Sequence, residues 1–357
     1  MKYCLKRAFV IFLPIFLFIS GIIVGFYINS GNITAMHLSV YIPVIILIAI
    51  GCLMVAKANN QRDIADRLKK QQADSFNLFV PHEFISLLDK DNITSVRLGD
   101  RIEKEMTVFF SDIRSYTKLS ESITSIELFN FLNSYFKQIN PCVKNNNGFI
   151  DKFIGDAIMA LFPQKPEDAL RAAIEMKHQL DIYNKGRGRA GYDPVRAGFG
   201  LHHGMLTLGT VGSEIRMNTT VIGDAVNLAS RIESLTKIFK IDIILSNAVY
   251  NKLNNPAEFN LREIDNVRVK GKQKTVVLYE AFDTDLPEII EKKNEALPIF
   301  DKALNNYKAG KFEKAMEQFE QCRKICPEDH IPSIYIKRSN TMLRVPPGPN
   351  WTGVSTL

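Results

Sequence analysis

The sequence predicts an α+β fold, an antiparallel sheet with covering helices, set between a two-span membrane hairpin and a small helical tail. Three observations carry that expectation. From Ala8 to Ala56 the chain has no Asp, Glu, Lys or Arg, whereas the remainder mixes charges as a water-soluble sequence does. From Met106 to Phe282, short apolar runs of strand length alternate with longer stretches bearing apolar residues every three or four positions, the two periodicities of strands and amphipathic helices. Beyond Phe300 the helical spacing continues alone.

The uncharged stretch holds two apolar runs, Ala8–Ile28 and Leu38–Ala56, joined by the polar "NSGNITAMH". Each run is close to the ~20 residues that cross a bilayer. Lys2, Lys6 and Arg7 precede the first, and Lys57, Arg62, Arg67, Lys69 and Lys70 follow the second. The excess of basic residues on the cytoplasmic side of membrane proteins then predicts an inner-membrane, multi-pass protein with its N-terminus and body in the cytoplasm and the lipid bilayer as a partner. A cleaved signal peptide is the competing reading, but the first run is too long and a second follows at once. With so short an external loop, the spans are expected to anchor and align the body.

The net charge of +7 comes partly from these flanks and from "NKGRGR" (184–189), read as a solvated loop. Juxtamembrane lysines pair with anionic headgroups, so nucleic acid is not expected as a partner. The five cysteines, at 4, 52, 142, 322 and 326, show no metal-binding spacing, and a cytoplasmic body would keep them reduced.

Lys57 to about Lys70 is polar and helix-compatible, continuing the second run, and Phe76–Asp100 reads as a short helix and a lead-in. "MTVFFSDI" is a strand ending near Asp112. In "TSIELFNFLNSYFKQI", Thr124 and Glu127 fit a reciprocal N-terminal cap, with Leu128, Phe131, Leu132, Tyr135 and Ile139 as one apolar stripe. "GFIDKFIGDAIMALF" (148–162) is a hairpin turning at Gly155-Asp156. A helix follows from about Glu167 to Tyr183, and "VRAGFGLHHGMLTLGTVG" reads as another strand pair. The order strand, helix, hairpin, helix, strand is the ferredoxin-like arrangement, with helices on one face of an antiparallel sheet. In it the first strand and the hairpin are neighbours, so Asp112 and Asp156 would converge.

Two converging aspartates make a hard, oxygen-rich site suited to magnesium or manganese. Paired ions held this way suit in-line displacement at phosphorus. In "NTTVIGDAVNLASRIESL" (218–235), Asp224 can cap a helix whose stripe is Ala225, Leu228, Ile232 and Leu235, leaving Asn227 and Arg231 together on another face. Such a pair can bind ribose and phosphate oxygens, although taken alone an ordinary polar helix face is the commoner explanation. Lys270 and Lys272, around a glycine between two strands in "VRVKGKQKTVVLYEAF", could meet a polyphosphate or protect a sheet edge. Taken alone, Lys152 and Asp156 could be a snorkelling lysine and a turn residue.

Taken together, "TVFFSDIRSYTKLSE", "GFIDKFIGDAIMALF", "TVIGDAVNLASRIE" and "VRVKGKQKTVVLYE" resemble the successive sequence blocks of class III nucleotide cyclases, over roughly Phe76 to Phe282. The resemblance implies a ferredoxin-like cyclase domain that binds two Mg²⁺ or Mn²⁺ ions per active site through Asp112, Asp156 and the Ile113 carbonyl. Asn227 and Arg231 match the residues that orient the ribose and stabilise the transition state. Lys270, with Lys272 beside it, matches the lysine on the terminal phosphates. Lys152 and Thr220 fall where the purine is read. A lysine donor suits adenine N1, and a threonine hydroxyl can accept from the exocyclic amine, so ATP is the expected substrate and cyclic AMP with pyrophosphate the products. Thr220 replaces the aspartate of many relatives, which is similar to a threonine-bearing bacterial subgroup, some members of which respond to bicarbonate. A homodimer with composite sites is implied. Guanylate cyclase is the alternative enzyme reading, and a catalytically silent membrane receptor or scaffold the alternative class.

"FDKALNNYKAGKFEKAMEQFEQCRKICPED" (300–329) has spacings similar to one tetratricopeptide helical hairpin. Packing against the body or its dimer mate is its expected role, with a protein partner the alternative. The expected domain limits are 1–56 for the membrane hairpin, 57–100 for the linker helix and lead-in, 101–283 for the cyclase domain, 284–345 for the helical tail and 346–357 for an extended end.

Overall fold

The computed structural model describes residues 21–22, 35–268, 275–348 and 351–356. Two compact units emerge, residues 1–79 and 80–357.

In the first unit, helix α1 runs without interruption from Ala35 to Asn77. Among the described residues no helix is long and apolar enough to cross a membrane, which overturns the expected multi-pass inner-membrane placement and the bilayer as partner. The expected second span lies within α1. That helix does not end with its apolar stretch but carries on through Lys57, Arg62, Asp63, Asp66, Arg67, Lys69 and Lys70, so it is a longer helix of mixed character. Apart from residues 21–22, the expected first span lies outside the described residues.

The second unit is built on one mixed sheet. Its strands are β1 (Arg101–Ile113), β2 (Phe149–Ile154), β3 (Ala157–Phe162), β4 (Ala197–Ser213), β5 (Arg216–Ile222), β6 (Ile243–Ser246), β7 (Leu261–Arg268), β8 (Thr275–Ala281) and β9 (Ser355–Thr356). The order across the sheet is β2-β3-β1-β4-β6-β8-β7-β9, with β5 paired to β4. The pairs β4–β6 and β7–β9 are parallel, so the sheet is not purely antiparallel as expected. The predicted strand pair at 195–212 is instead one long strand, β4, whose hairpin partner is β5.

Helices cover both faces of this sheet, where the sequence suggested one. Neighbouring residues of β1 show why: Phe109 joins one core cluster while Val108 and Phe110 join another. A strand buried on both sides reads as a continuous apolar run, and "MTVFF" is such a run. On the first face lie α4 (Ser125–Asn145) and α5 (Pro166–Arg189), following the short α2 (His82–Leu87) and α3 (Tyr116–Ser122). The cap of α4 forms as expected: Thr124 Oγ1 accepts from Glu127 N at 3.3 Å, and Glu127 Oε2 accepts from Thr124 N at 2.8 Å. Phe131, Tyr135 and Ile139 are buried, with Leu128 and Leu132 packed at the margin. Helix α5 continues through "NKGRGR", expected as a loop. The Arg187 guanidinium sits 5.1 Å from the Phe131 ring, 5.8 Å from Tyr183 and 5.2 Å from Tyr192, and cation–π attraction of that kind outweighs the poor helix propensity of two glycines.

The other face carries α2, α6 (Asp224–Phe239) and the tail. The predicted stripe of α6, Ala225, Leu228, Ile232 and Leu235, is buried, although Gly223 and not Asp224 is the capping residue. A short helix, α7 (Asn247–Tyr250), follows β6. Where a helical hairpin was expected, the tail has three helices, α8 (Pro287–Lys308), α9 (Phe312–Ile325) and α10 (His330–Arg344), and then β9. Phe300, Tyr307, Phe319 and Tyr335 from the tail share a core cluster with Ile264 and Leu278 of the sheet and Leu228 and Ile232 of α6.

Candidate active site

The two aspartates meet. Strand β1 pairs with β3 in a register that sets Ser111 opposite Ile158. The β2–β3 turn, made at Gly155 with φ 63°, therefore hangs beside the end of β1. Asp156 Oδ2 accepts a hydrogen bond from Ile113 N at 3.2 Å, joining segments 43 residues apart. Burial, reinforced by the hydrogen bond and negative charge of Asp112, pushes the Asp156 carboxyl up to about 7. Two carboxylates crowded this way disfavour simultaneous ionisation, and a divalent cation between them would remove the conflict. Among the described residues there is no group of three or more His, Cys, Asp or Glu side chains poised for metal. Two carboxylates and a carbonyl nevertheless fit Mg²⁺ or Mn²⁺, which take few protein ligands and complete their shell with water and phosphate oxygens.

Two residues that the sequence reading missed join this corner. Lys237 of α6 places Nζ 2.5 Å from Asp112 Oδ2. Glu233, one turn earlier, is buried, and burial followed by the Asp112 charge raises its carboxyl to about 7. Both arrive because α6 lies almost on the backbone of β4. A Cβ on Gly200 would come within 2.7 Å of backbone atoms of Glu233 and Ala229. No local sequence signal marks Lys237, since its partner is 125 residues away.

Lys152 and Thr220 also meet. Lys152 Nζ donates to Thr220 Oγ1 at 3.4 Å, linking β2 to β5. Regular strand alternation, which would set Lys152 on one face with Ile150, is broken here. A bulge falls between Ile150 and Lys152, and Lys152 Nζ comes 3.2 Å from Asp151 Oδ2. Asn227 and Arg231 stand one turn apart on the exposed face of α6. Lys270 and Lys272 lie outside the described residues, between the end of β7 at Arg268 and the start of β8 at Thr275.

Comparison with known proteins identifies the family and the fold. Residues 100–280 match the family described as the adenylate and guanylate cyclase catalytic domain. An adenylate cyclase of Anabaena cylindrica is 45% identical over 217 residues, covering 59% of this chain and 43% of that protein. A terminal-differentiation-specific adenylate cyclase of Dictyostelium discoideum is 38% identical over 266 residues, 73% of this chain and 12% of that one. The chain thus spans less than half the length of either curated relative. The structure of a bacterial light-regulated adenylyl cyclase superposes with a TM-score of 0.54 at 23% identity, covering 64% of this chain and 65% of the other, which shows a shared fold. With its matched segment reaching from the lead-in to the last long strand and its two aspartates joined at one corner, the chain belongs to the adenylate and guanylate cyclase catalytic domain family.

Proposed function

We propose that the protein is an adenylate cyclase, active as a homodimer, that converts ATP to 3′,5′-cyclic AMP and pyrophosphate. The observation that carries this reading is the meeting of Asp112 and Asp156 at the end of β1, with Asp156 raised to about 7. Asp112, Asp156 and the Ile113 carbonyl would hold Mg²⁺ or Mn²⁺. Bound there, divalent ions would lower the pKa of the ribose 3′-hydroxyl and neutralise charge on the departing pyrophosphate.

The remaining work belongs to the chain's own groups. Lys152 donates to adenine N1, and the Thr220 hydroxyl accepts from the exocyclic amine. Guanine presents a donor at N1 and an acceptor at O6, so it would leave those groups mismatched. Asn227 holds the ribose, while Arg231 binds the charge that develops on the α-phosphate, which speeds reaction only as far as it binds the transition state more tightly than ATP. Lys270, with Lys272 next to it, takes the terminal phosphates. The 3′-oxygen bonds to the α-phosphorus, the bond from that phosphorus to the bridging oxygen breaks, and the hydroxyl proton is released. No covalent enzyme intermediate is needed.

Each half of the site is assembled within one chain: Asp112 with Asp156, and Lys152 with Thr220. We read these halves, from the resemblance to the family, as parts of two equivalent composite sites in a twofold dimer, each joining the aspartates of one subunit to the recognition residues of the other. With threonine at position 220, we read the protein as similar to the threonine-bearing members of the family. We read 101–283 as the catalytic unit, with the tetratricopeptide-like helices of 284–345 serving chiefly as its packing partner. The test is an assay of the full chain with ATP or GTP and Mn²⁺. Cyclic AMP is expected; cyclic GMP as sole product would reverse the substrate assignment, and no cyclic product at any metal concentration would reject the enzyme.

A further inference from the structure

The carboxylate of Asp151 is held in an expensive place. Its side chain is 1% exposed, and its Oδ2 has no hydrogen-bond donor among the described residues. The Lys152 ammonium stands 3.2 Å from that oxygen, near enough for strong attraction but not aligned as a hydrogen bond. Burial pushes the Asp151 carboxyl up, and the charge of Lys152 offsets this only in part. Buried carboxylates without full partnership reduce stability, and breaches of this kind concentrate where a chain does chemistry.

The backbone has been altered to make the arrangement. In a regular strand neighbouring side chains point to opposite faces, so Asp151 could not reach Lys152. The register slips between Ile150 and Lys152, leaving Asp151 without a partner residue on β3, and a bulge of this kind re-aims side chains. Lys152 is thereby held from two sides, by Asp151 on its own strand and by Thr220 Oγ1 at 3.4 Å on β5. Its side chain is 37% exposed. An ammonium has three donors on a flexible stem. With one donor directed at Thr220 and the charge of Asp151 drawing the ammonium to its side, a donor is left for a ligand.

We propose that Asp151 is a positioning residue that sets nucleobase preference by orienting the Lys152 ammonium. The inference rests on the assignment of Lys152 to the purine and adds a residue to that half of the site. Asp151 touches no substrate atom; it limits the directions from which Lys152 can donate, and so sharpens the distinction between an acceptor and a donor at purine N1.

The test uses the full chain and the isosteric variant Asp151→Asn. Affinities for non-hydrolysable α,β-methylene analogues of ATP and GTP are measured by calorimetry, and kcat/KM is measured for both nucleotides. The ATP-over-GTP preference should fall by roughly ten- to a hundredfold, the scale of one charge-assisted hydrogen bond wrongly aimed, while Tm stays level or rises because a costly buried charge is gone. Asp151→Glu, which keeps the charge, should restore part of the preference. In a Lys152→Met background, Asp151→Asn should change the preference no further, whereas a merely structural role would lower stability and both affinities in either background. An unchanged preference in Asp151→Asn, or an equal effect without Lys152, overturns the proposal and leaves the cyclase reading standing. If the unmutated chain binds neither analogue, the cyclase reading fails and this proposal with it.

Discussion

Asp329→Asn is expected to destabilise the protein and to do so through the catalytic sheet as well as the tail. Arg262 of β7 is buried, its side chain 1% exposed. Its NH1 and NH2 donate to the two oxygens of Asp329 at 2.5 and 2.8 Å, and its Nε donates to Glu280 of β8 at 2.6 Å. Lys293 of α8 donates to Glu280 at 2.7 Å and to Asp285 at 2.6 Å. The four most buried members, Arg262, Lys293, Glu280 and Asp329, balance two positive charges against two negative. Asparagine keeps the shape of Asp329 and its oxygen can still cap α10 as Asp329 Oδ1 does through Ile331 N at 3.1 Å, so the variant removes the charge and, because an amide nitrogen cannot accept, one of the two hydrogen bonds from Arg262. Unit charges ~4 Å apart at an effective dielectric of ~20 attract by about 4 kcal/mol. Breaking a buried pair from one side typically costs ~3–5 kcal/mol, and we expect a loss in that range.

Arg262→Met in the same chain should recover ~2 kcal/mol or more, because no positive charge is then left unmatched. Urea unfolding followed by Trp351 fluorescence measures the effect. This is the sole tryptophan of the chain, and it packs 5.7 Å from Tyr307 and 5.8 Å from Phe312. Cyclase activity at each urea concentration is the second probe. The tail shares its core with Leu228 and Ile232 on the helix of Asn227 and Arg231, so both signals should fall together. The pH dependence has a definite sign. Burial acts to raise the Asp329 carboxyl, but the charge and hydrogen bonds of Arg262 outweigh it and hold the group below its usual value. Its contribution is therefore complete above the unfolded value of ~3.9 and disappears as pH falls through the lower folded value. A stability for Asp329→Asn within ~1 kcal/mol of the parent at pH 7, well short of the ~3–5 expected of a broken buried pair, would refute this account.

Two further outcomes follow from the active-site geometry. Asp112→Ala should lower cyclase activity by at least the ~100-fold that even outer-shell changes at metal sites can cause, with the circular-dichroism spectrum and Tm little changed, because its partner Lys237 has a side chain 47% exposed; retained activity would remove Asp112 from the metal site. Gly200→Ala should cost ~1–3 kcal/mol by overpacking and also lower kcat, since the added carbon meets the backbone of α6 at Glu233 and Ala229; unchanged Tm and rate would show that the helix has room to move.

Local rules made much of this molecule readable in advance. The cap at Thr124, the stripe from Leu128 to Ile139 and the turn at Gly155-Asp156 depend on neighbours within a few positions, and each forms as the sequence indicates. Convergence of Asp112 and Asp156 was legible for a similar reason: hairpin and strand order leave few ways to arrange the sheet. Residues that depend on distant partners were not readable. Arg187 turns a glycine-bearing loop into helix only because three aromatic rings are gathered around it. The apolar run in α1 was read as a span from its hydropathy, whereas no described helix is long and apolar enough to cross a membrane, and the run is one end of a helix that continues through the charged residues after Lys57, as expected. The bulge that brings Asp151 to Lys152, the approach of Lys237 to Asp112 and the clamp of Asp329 on Arg262 were likewise invisible from composition. By itself, then, the sequence determined the caps, stripes and turns within most elements and the residue types proposed to carry the chemistry, since those follow from periodicity and short-range stereochemistry. Tertiary structure alone decided which charges share a pocket, because Coulomb and desolvation energies depend on separations in space that the chain's order does not encode locally.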